Sequence, residues 1–339
     1  MPKRELILTI LLLNFSYKIT PKLELEFKYS ILFFIQKGLD SFLIVVNCVK
    51  ITIMPKNNPK AIGGQPIPKI IIGIAQLLQA VSPKLTTLFA AKLFTTPIKH
   101  KMPKRELAMD QNSEQHTLWI PAIAKEIVVY TYGSGDKKIL LVHGWSGRGT
   151  QLVKIADELV KKGFMIISFD APAHGKSKGN FSIMTEFIAS ILELEKTQGP
   201  FEYTIGHSLG GMSVLNAIQQ NLAVKKAVTI GSGDVIQDII DDFIRKLKLK
   251  PQFGQHLKNH FETKFGGKMD DYSAYKAAAN ITIPVLVIHD ADDADVSVQS
   301  AYHIEKHLKQ GELFITEGLG HRKILGDAAV IEKINCFLN

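Results

Sequence analysis

The chain has 339 residues, 46% of them apolar and 22% charged, so it can bury a sizeable core and shows no bias towards disorder. The net charge of +9 at pH 7 comes entirely from residues 1–100, which hold 13 Lys and Arg against 4 Asp and Glu; the other 239 residues hold 28 of each. A neutral main body argues against a nucleic-acid-binding protein, in which a basic face is expected. Cys48 and Cys336 form neither a disulfide framework nor a zinc motif, which favours a reducing compartment, the cytoplasm.

Two apolar stretches in the first 50 residues resemble targeting or membrane segments. Residues 6–15 follow a basic start, but no small-residue cleavage site comes after them, so we predict no signal peptide. Residues 31–49 could span a bilayer by length, yet three polar or charged side chains lie near their middle: Gln36, Lys37 and Asp40. Because a central charge costs about 2.5–3.5 kcal/mol, we predict no transmembrane helix.

Residues 1–100 are interpreted as a basic extension that precedes a main domain of residues 101–339. The hexapeptide MPKREL occurs at residues 1–6 and again at 102–107, without a longer repeat around it. Chance, local duplication and a translation start inside this region all remain open. Residues up to about 70 are accordingly either a partly disordered native segment or not part of the native protein.

Residues 70–94 have the apolar periodicity of one or two short amphipathic helices, interrupted near Pro83. Such helices either pack on the surface of the main domain or attach to a membrane surface through three lysines, Lys84, Lys92 and Lys99.

From about residue 118 onwards, strand-like and helix-like stretches alternate. The predicted strands are 127–132, 139–143, 165–170, 203–206, 227–231, 285–289 and 313–316, and the predicted helices are 150–162, 184–196, 209–221, 298–309 and 328–337. This alternation predicts an α/β fold, a mostly parallel sheet with helices on both faces. Functional residues are then expected at the carboxyl ends of the strands.

Ser208 lies in the pentapeptide GHSLG, between a predicted strand and a predicted helix. The pattern G-x-S-x-G places a serine on a sharp turn that closes only if the flanking positions, here Gly206 and Gly210, are tiny. A nucleophilic serine also needs donors for an oxyanion. The segment His143-Gly144-Trp145 follows an earlier strand, so the backbone N–H groups of Trp145 and Leu209 are the predicted oxyanion hole.

Five segments together resemble the α/β-hydrolase superfamily over about residues 118–339. They are HGW at 143–145, FDAPAHGKS at 169–177, GHSLGG at 206–211, IHDADDADV at 288–296 and GLGHRK at 318–323. Their order agrees with the superfamily's nucleophile, acid and histidine. The segment at 169–177, with Asp170, is interpreted as a structural turn beside the pocket.

The resemblance implies that Asp293 is the acid of a catalytic triad, since the superfamily pattern H-G-x-x-D-x-x-V aligns with His289, Asp293 and Val296. Asp290 stands at the glycine position of that pattern. Asp290, Asp292, Asp295 and, after another strand, Asp234 remain alternative acids. The loop lacks the glycine and glutamate of an EF-hand, so we predict no metal site.

His321 lies in a glycine-flanked loop after the last predicted strand and is the expected general base for Ser208. The histidine pairs His256/His260 and His303/His307 have helical spacing, but they lack a third metal ligand and are interpreted as exposed helix faces. No cofactor is expected.

Residues 234–280 exceed what a connection between two strands needs, and they contain an apolar helical stripe: Val235, Ile236, Ile239, Ile240, Phe243, Ile244 and Leu247. We predict a small helical cap here, with its stripe packed on the body or partly around a ligand, and a mainly apolar substrate pocket.

The sequence therefore predicts a serine hydrolase that cleaves a small-molecule carboxylic ester through an acyl-enzyme. Thioesterase, amidase, peptidase and acyltransferase activities use the same groups and remain open. A non-catalytic ligand-binding module with the same fold is the alternative from another class. Partners expected are a small ester or acyl substrate and no nucleic acid, with membrane-surface contact through the N-terminal segment open.

Overall fold

The computed structural model describes residues 67–339 and, before them, only the backbone of three strands. The chain forms two compact units, Met1–Ala61 and Ile62–Asn339. In the first unit, β1, β2 and β3 form an antiparallel sheet in that order (Leu8–Leu11, Ile31–Lys37 and Asp40–Val46). The rest of residues 1–66, with most of the apolar run 6–15, lies outside the described residues. The prediction that residues up to about 70 are partly disordered or not native therefore falls largely outside them as well.

The second unit is built on an eight-stranded sheet. Its strands in chain order are β4 Glu114–Ile120, β5 Lys125–Tyr132, β6 Lys137–Val142, β7 Phe164–Asp170, β8 Tyr203–His207, β9 Lys226–Ile230, β10 Val285–Asp290 and β11 Gly311–Thr316. The spatial order is β11-β10-β9-β8-β6-β7-β5-β4. Strands β6 to β11 are all parallel, and β5 and β4 extend the sheet in antiparallel pairing.

Helices cover both faces of this sheet, and apolar side chains from the two sides form two buried clusters. The helices are α1 Lys69–Val81, α2 Pro83–Phe94, α3 Leu107–Asn112, α4 Val153–Lys161, α5 Met184–Gln198, α6 Leu209–Gln219, α7 Ile236–Lys246, α8 Gln252–Phe265, α9 Ala274–Ala278, α10 Gln299–His307, α11 Gly320–Lys323 and α12 Ala328–Leu338. The predicted fold class is confirmed, since the sheet is mostly parallel and helices α7 to α9 form the small insertion between β9 and β10.

All seven predicted strands are present, with bounds that differ by one to two residues. Strand β4 was missed. Its sequence, EQHTLWI, is polar because β4 is the edge strand, and only Ile120 is buried. An edge strand that buries one residue lacks the apolar alternation by which the other strands were recognised.

Helices α1 and α2 form a hairpin that belongs to the second unit, although residues 67–100 were assigned to the extension. Phe94 of α2 contacts two rings of the insertion, Phe243 at 5.1 Å and Phe261 at 5.8 Å between centroids. The N–H of Lys250 donates to Gln79 Oε1 at 2.7 Å. The boundary between the compact units falls after Ala61. Helix α2 also covers part of the apolar stripe predicted for residues 235–247, because Phe94 packs on Phe243.

Candidate active site

Ser208 lies on the turn between β8 and α6, with φ of 54° and ψ of −121°. Positive φ is strained for a residue with a Cβ atom, so the surrounding structure must hold it. Two glycines make that possible. A Cβ atom on Gly206 would lie 2.4 Å from the Gly210 oxygen, and one on Gly210 would lie 2.4 Å from the Val142 oxygen. The turn thus closes only with glycine at both positions, which projects the serine beyond the end of the sheet.

The loop after β6 contacts the serine directly. A Cβ atom on Gly144 would lie 2.9 Å from Ser208 Cβ, and the Gly144 N–H donates to Gln151 Oε1 at 2.8 Å. Among the described residues, neither the N–H of Trp145 nor that of Leu209 has a hydrogen-bond acceptor. Backbone donors are normally satisfied, so two free N–H groups flanking one serine fit a site for an oxyanion.

His321 and Asp293 form a close pair, with 2.6 Å between Nδ1 and Oδ2. The Asp293 side chain is 1% exposed. Its Oδ1 atom accepts from the N–H groups of Asp295 and Val296, at 2.8 and 2.9 Å. Burial raises the pKa of Asp293, but hydrogen bonds from His289, His321 and Val296 outweigh burial and hold it below the ordinary value. Asp293 is therefore ionised and fixes the His321 proton on Nδ1, which leaves Nε2 free to accept a proton.

The His321–Asp293 pair and Ser208 both lie at the carboxyl ends of β8 and β9. The Ser208 N–H donates to the Ile230 oxygen at 2.9 Å. The next residue, Gly231, has φ of +57°, and a Cβ atom there would lie 3.3 Å from His321 Nδ1 and 3.4 Å from Asp293 Oδ2. His207 stands beside the serine, with its ring 4.7 Å from that of His321, and its Nε2 donates to the His321 oxygen at 2.9 Å. Neighbouring backbone thus holds all three predicted triad residues in one region.

Asp234, the alternative acid after strand β9, faces a different histidine. Its Oδ2 atom pairs with His303 Nδ1, and its Oδ1 atom accepts from the Tyr275 N–H at 2.8 Å. Burial raises the pKa of Asp234. His303 thus binds a buried carboxylate, a contact that the interpretation of His303/His307 as an exposed helix face missed. Asp295 makes no side-chain hydrogen bond among the described residues.

Asp290 is a functional candidate whose role the sequence did not indicate. It is fully buried and accepts four hydrogen bonds. Its Oδ2 atom binds the Thr316 hydroxyl at 2.7 Å and the Leu319 N–H at 3.1 Å; its Oδ1 atom binds the N–H groups of Gly320 at 2.8 Å and Asp292 at 3.1 Å. Burial raises the pKa of Asp290, but these bonds outweigh it and the pKa lies below the ordinary value.

Asp292 adds a further bond to the same loop, because its Oδ2 atom accepts from the Gly318 N–H at 2.8 Å. The two carboxylates therefore clamp residues 316–320, directly before His321. The only sequence signal was that Asp290 replaces the glycine of the superfamily pattern. The crowded carboxylates thus have different partners: Asp293 binds the His321 ring, and Asp290 and Asp292 bind the loop of residues 316–320 before it.

Replacing Asp290 by glycine, the residue of the superfamily pattern, should lower kcat by up to about 100-fold, because a loop that shifts by about an ångström misplaces His321. KM should change little, since Asp290 is fully buried and acts through the loop before His321. Ester hydrolysis by Asp290→Gly and by the control Asp295→Ala, with circular dichroism to verify folding, measures this. Equal kcat for a folded Asp290→Gly variant and the wild type would show that Asp290 does not position His321.

Asp170 and the turn that follows it have the structural role predicted for them. The buried Asp170 carboxylate accepts from the Gly149 N–H at 2.7 Å, the Lys176 N–H at 2.6 Å and the Tyr130 hydroxyl at 2.8 Å. Burial raises the pKa of Asp170 despite these bonds. The Trp145 ring packs edge-on against His174 of the same turn, 5.1 Å between centroids. Asp170 thereby holds the loop after β6, which contains Trp145, against the turn after β7.

Within the described residues, no group of three or more His, Cys, Asp or Glu side chains is placed to bind a metal ion. The described part of the chain also contains no helix of the length and apolarity needed to cross a membrane.

Comparison with known proteins agrees with this architecture. Residues 137–268 match the family described as alpha/beta hydrolase fold. No curated protein matches the chain. Together, the family match and the sheet topology confirm the resemblance to the α/β-hydrolase superfamily, whose fold this chain has.

Solved structures with the same fold include esterases and a lipase. An esterase from Exiguobacterium antarcticum is 15% identical with a TM-score of 0.53, and the match covers 66% of this chain and 99% of the esterase. A putative lipase from Acinetobacter baumannii AYE is 19% identical with a TM-score of 0.53, covering 71% and 97%. A Pyrococcus furiosus esterase is 16% identical with a TM-score of 0.55, covering 72% and 97%. At these identities, the likeness establishes the fold.

Proposed function

We propose that this protein is a serine hydrolase that cleaves a carboxylic ester through an acyl-enzyme intermediate. The observation that carries the proposal is the convergence of a strained Ser208 with the His321–Asp293 pair around Gly231. A serine at positive φ is costly, and such strain clusters at active sites. The esterases and the lipase with the same fold support hydrolase chemistry in general.

The proposed reaction uses the groups that this site brings together. His321 Nε2 takes the Ser208 proton as Oγ attacks the ester carbonyl carbon, and the carbonyl oxygen becomes an oxyanion held by the N–H groups of Trp145 and Leu209. Asp293 stabilises the resulting imidazolium. His321 then protonates the leaving alcohol, and the C–O bond breaks to give acyl-Ser208. Water, deprotonated by His321, attacks this ester and releases the carboxylic acid, which restores the serine.

The substrate is proposed to be a small ester with an apolar acyl or alcohol group, bound under the cap. The cap, helices α7 to α9 with α2 packed on them, has a largely apolar core, in which Ile236, Ile240, Ile244 and Leu247 are buried. Apolar pockets with few polar groups bind apolar ligands. A cytoplasmic location and the absence of a nucleic-acid partner stay predictions from the cysteine and charge distributions.

Rapid mixing with p-nitrophenyl esters of increasing acyl length tests the proposal. We expect a burst of nitrophenol of one equivalent per enzyme, followed by a slower steady rate, because deacylation limits turnover of activated esters. Matched acyl thioesters and anilides, measured in parallel, identify the leaving group that the site prefers. A better rate with thioesters would reassign the class, and no turnover of any acyl compound by the folded protein would contradict the proposal.

A further inference from the structure

Helix α1 presents an apolar stripe to solvent. Ile70, Ile74, Leu77 and Val81 are 52%, 37%, 60% and 61% exposed. Their spacing of four, three and four residues places them on one face of the helix. The opposite side of α1 packs on α2, where Ala75 is fully buried. Scattered exposed apolar residues are ordinary, but four in register on one helix form a continuous surface.

All charged side chains of the hairpin formed by α1 and α2 are positive. Residues 67–105 contain no Asp or Glu, whereas Lys69, Lys84 and Lys92 are exposed on the two helices. One face of α2 carries Lys84, Leu88 and Lys92, which follow each other at intervals of four residues. All three are exposed, so two cations flank an exposed leucine on this face. Among residues 67–339, no carboxylate forms a salt bridge with any of these three lysines. Lys99, by contrast, donates to the Ser177 oxygen at 2.8 Å.

We propose that the α1–α2 hairpin is a docking surface for an anionic membrane. A helical hairpin that exposes an apolar stripe and three lysines, and contains no acidic residue, is complementary to a lipid surface that offers acyl chains below a layer of negative headgroups. At 13 and 12 residues, α1 and α2 are too short to span a bilayer and would lie in its interface. The proposal concerns binding and is independent of the chemistry at Ser208.

Sedimentation of the full chain with vesicles tests the proposal. Vesicles are phosphatidylcholine alone or an equal mixture with phosphatidylglycerol. We expect binding to the mixture and much less to phosphatidylcholine. Ile74→Asp combined with Leu77→Asp should lower the partition coefficient about tenfold or more, since both side chains then stay in water. Lys84→Gln and Lys92→Gln should each lower it about fivefold, an effect that added salt removes.

Two matched controls carry the same kind of change on surfaces far from the hairpin in sequence. Trp119 and Tyr302 are 53% and 45% exposed, and Trp119→Asp and Tyr302→Asp should bind as the wild type does. Equal binding by the stripe variant and the wild type would overturn the proposal, because residues outside the hairpin would then bind the lipid. Failure of the wild type to bind the mixture would also overturn it. A dimer in light scattering that Leu77→Asp dissociates would assign the stripe to a second copy instead.

Discussion

Ser208→Ala should lower kcat for ester hydrolysis by about 10⁴- to 10⁶-fold while the protein stays folded. The variant removes the atom that forms the acyl bond, so no acyl-enzyme can accumulate and the burst should vanish. Substrate binding should persist, because the substitution leaves the pocket and the backbone N–H groups of Trp145 and Leu209 unchanged. A residual rate above that in water is expected from the oxyanion site. Stability should hold or rise slightly, since alanine at positive φ is as strained as serine and no hydrogen bond of Ser208 Oγ is lost among the described residues.

Ser190→Ala is the matched control for that variant. Ser190 is buried in α5 and donates through Oγ to the Glu186 oxygen at 2.7 Å. Its loss should cost about 1 kcal/mol of unfolding free energy and leave kcat near the wild-type value. Full activity in Ser208→Ala would mean that another residue is the nucleophile, and an equal loss in Ser190→Ala would mean that folding rather than chemistry had failed.

Asp293→Asn should lower kcat by about 10⁴-fold with little change in fold. An amide group at this position can donate to His321 Nδ1, which would place the ring proton on Nε2 and remove the base. It also loses the charge that stabilises the imidazolium. The buried surroundings make the effect large, because water cannot replace the carboxylate at a side chain that is 1% exposed.

Asp234→Asn is the matched control for the acid. Asp234 is also buried, also follows a strand and also pairs with a histidine, His303, but that histidine is not beside Ser208. The Asp234→Asn substitution should therefore leave kcat close to the wild-type value. A larger loss in Asp234→Asn than in Asp293→Asn would reassign the acid of the triad and contradict the pairing of Asp293 with His321.

The sharp turn that carries Ser208 was predictable from sequence because the steric conflict that shapes it is local. Gly206 and Gly210 are each two residues from Ser208, and the steric conflict that selects glycine acts within one turn. The strands were predictable for a similar reason, since buried parallel strands are continuous apolar runs. His321 and Asp293 could be placed only through the resemblance to a superfamily, because 28 residues separate them and nothing local links them.

The features that escaped prediction depend on tertiary contacts. The role of Asp290 comes from bonds to residues 26 to 30 positions away, which no local pattern indicates. Helix α2 was expected from its periodicity, but its position on the cap is decided by Phe94 fitting between Phe243 and Phe261. The polar edge strand β4 exists because β5 pairs with it, not because of its own apolar pattern.

Labelling with a fluorophosphonate, measured by intact mass, tests the central claim most directly. This reagent phosphonylates a serine that a neighbouring base activates far faster than an ordinary hydroxyl group. We predict one adduct on the wild type, none on Ser208→Ala, and greatly slowed labelling of Asp293→Asn. A folded wild-type protein that forms no adduct, or a Ser208→Ala variant that forms one, would contradict the assignment of Ser208 as the activated nucleophile.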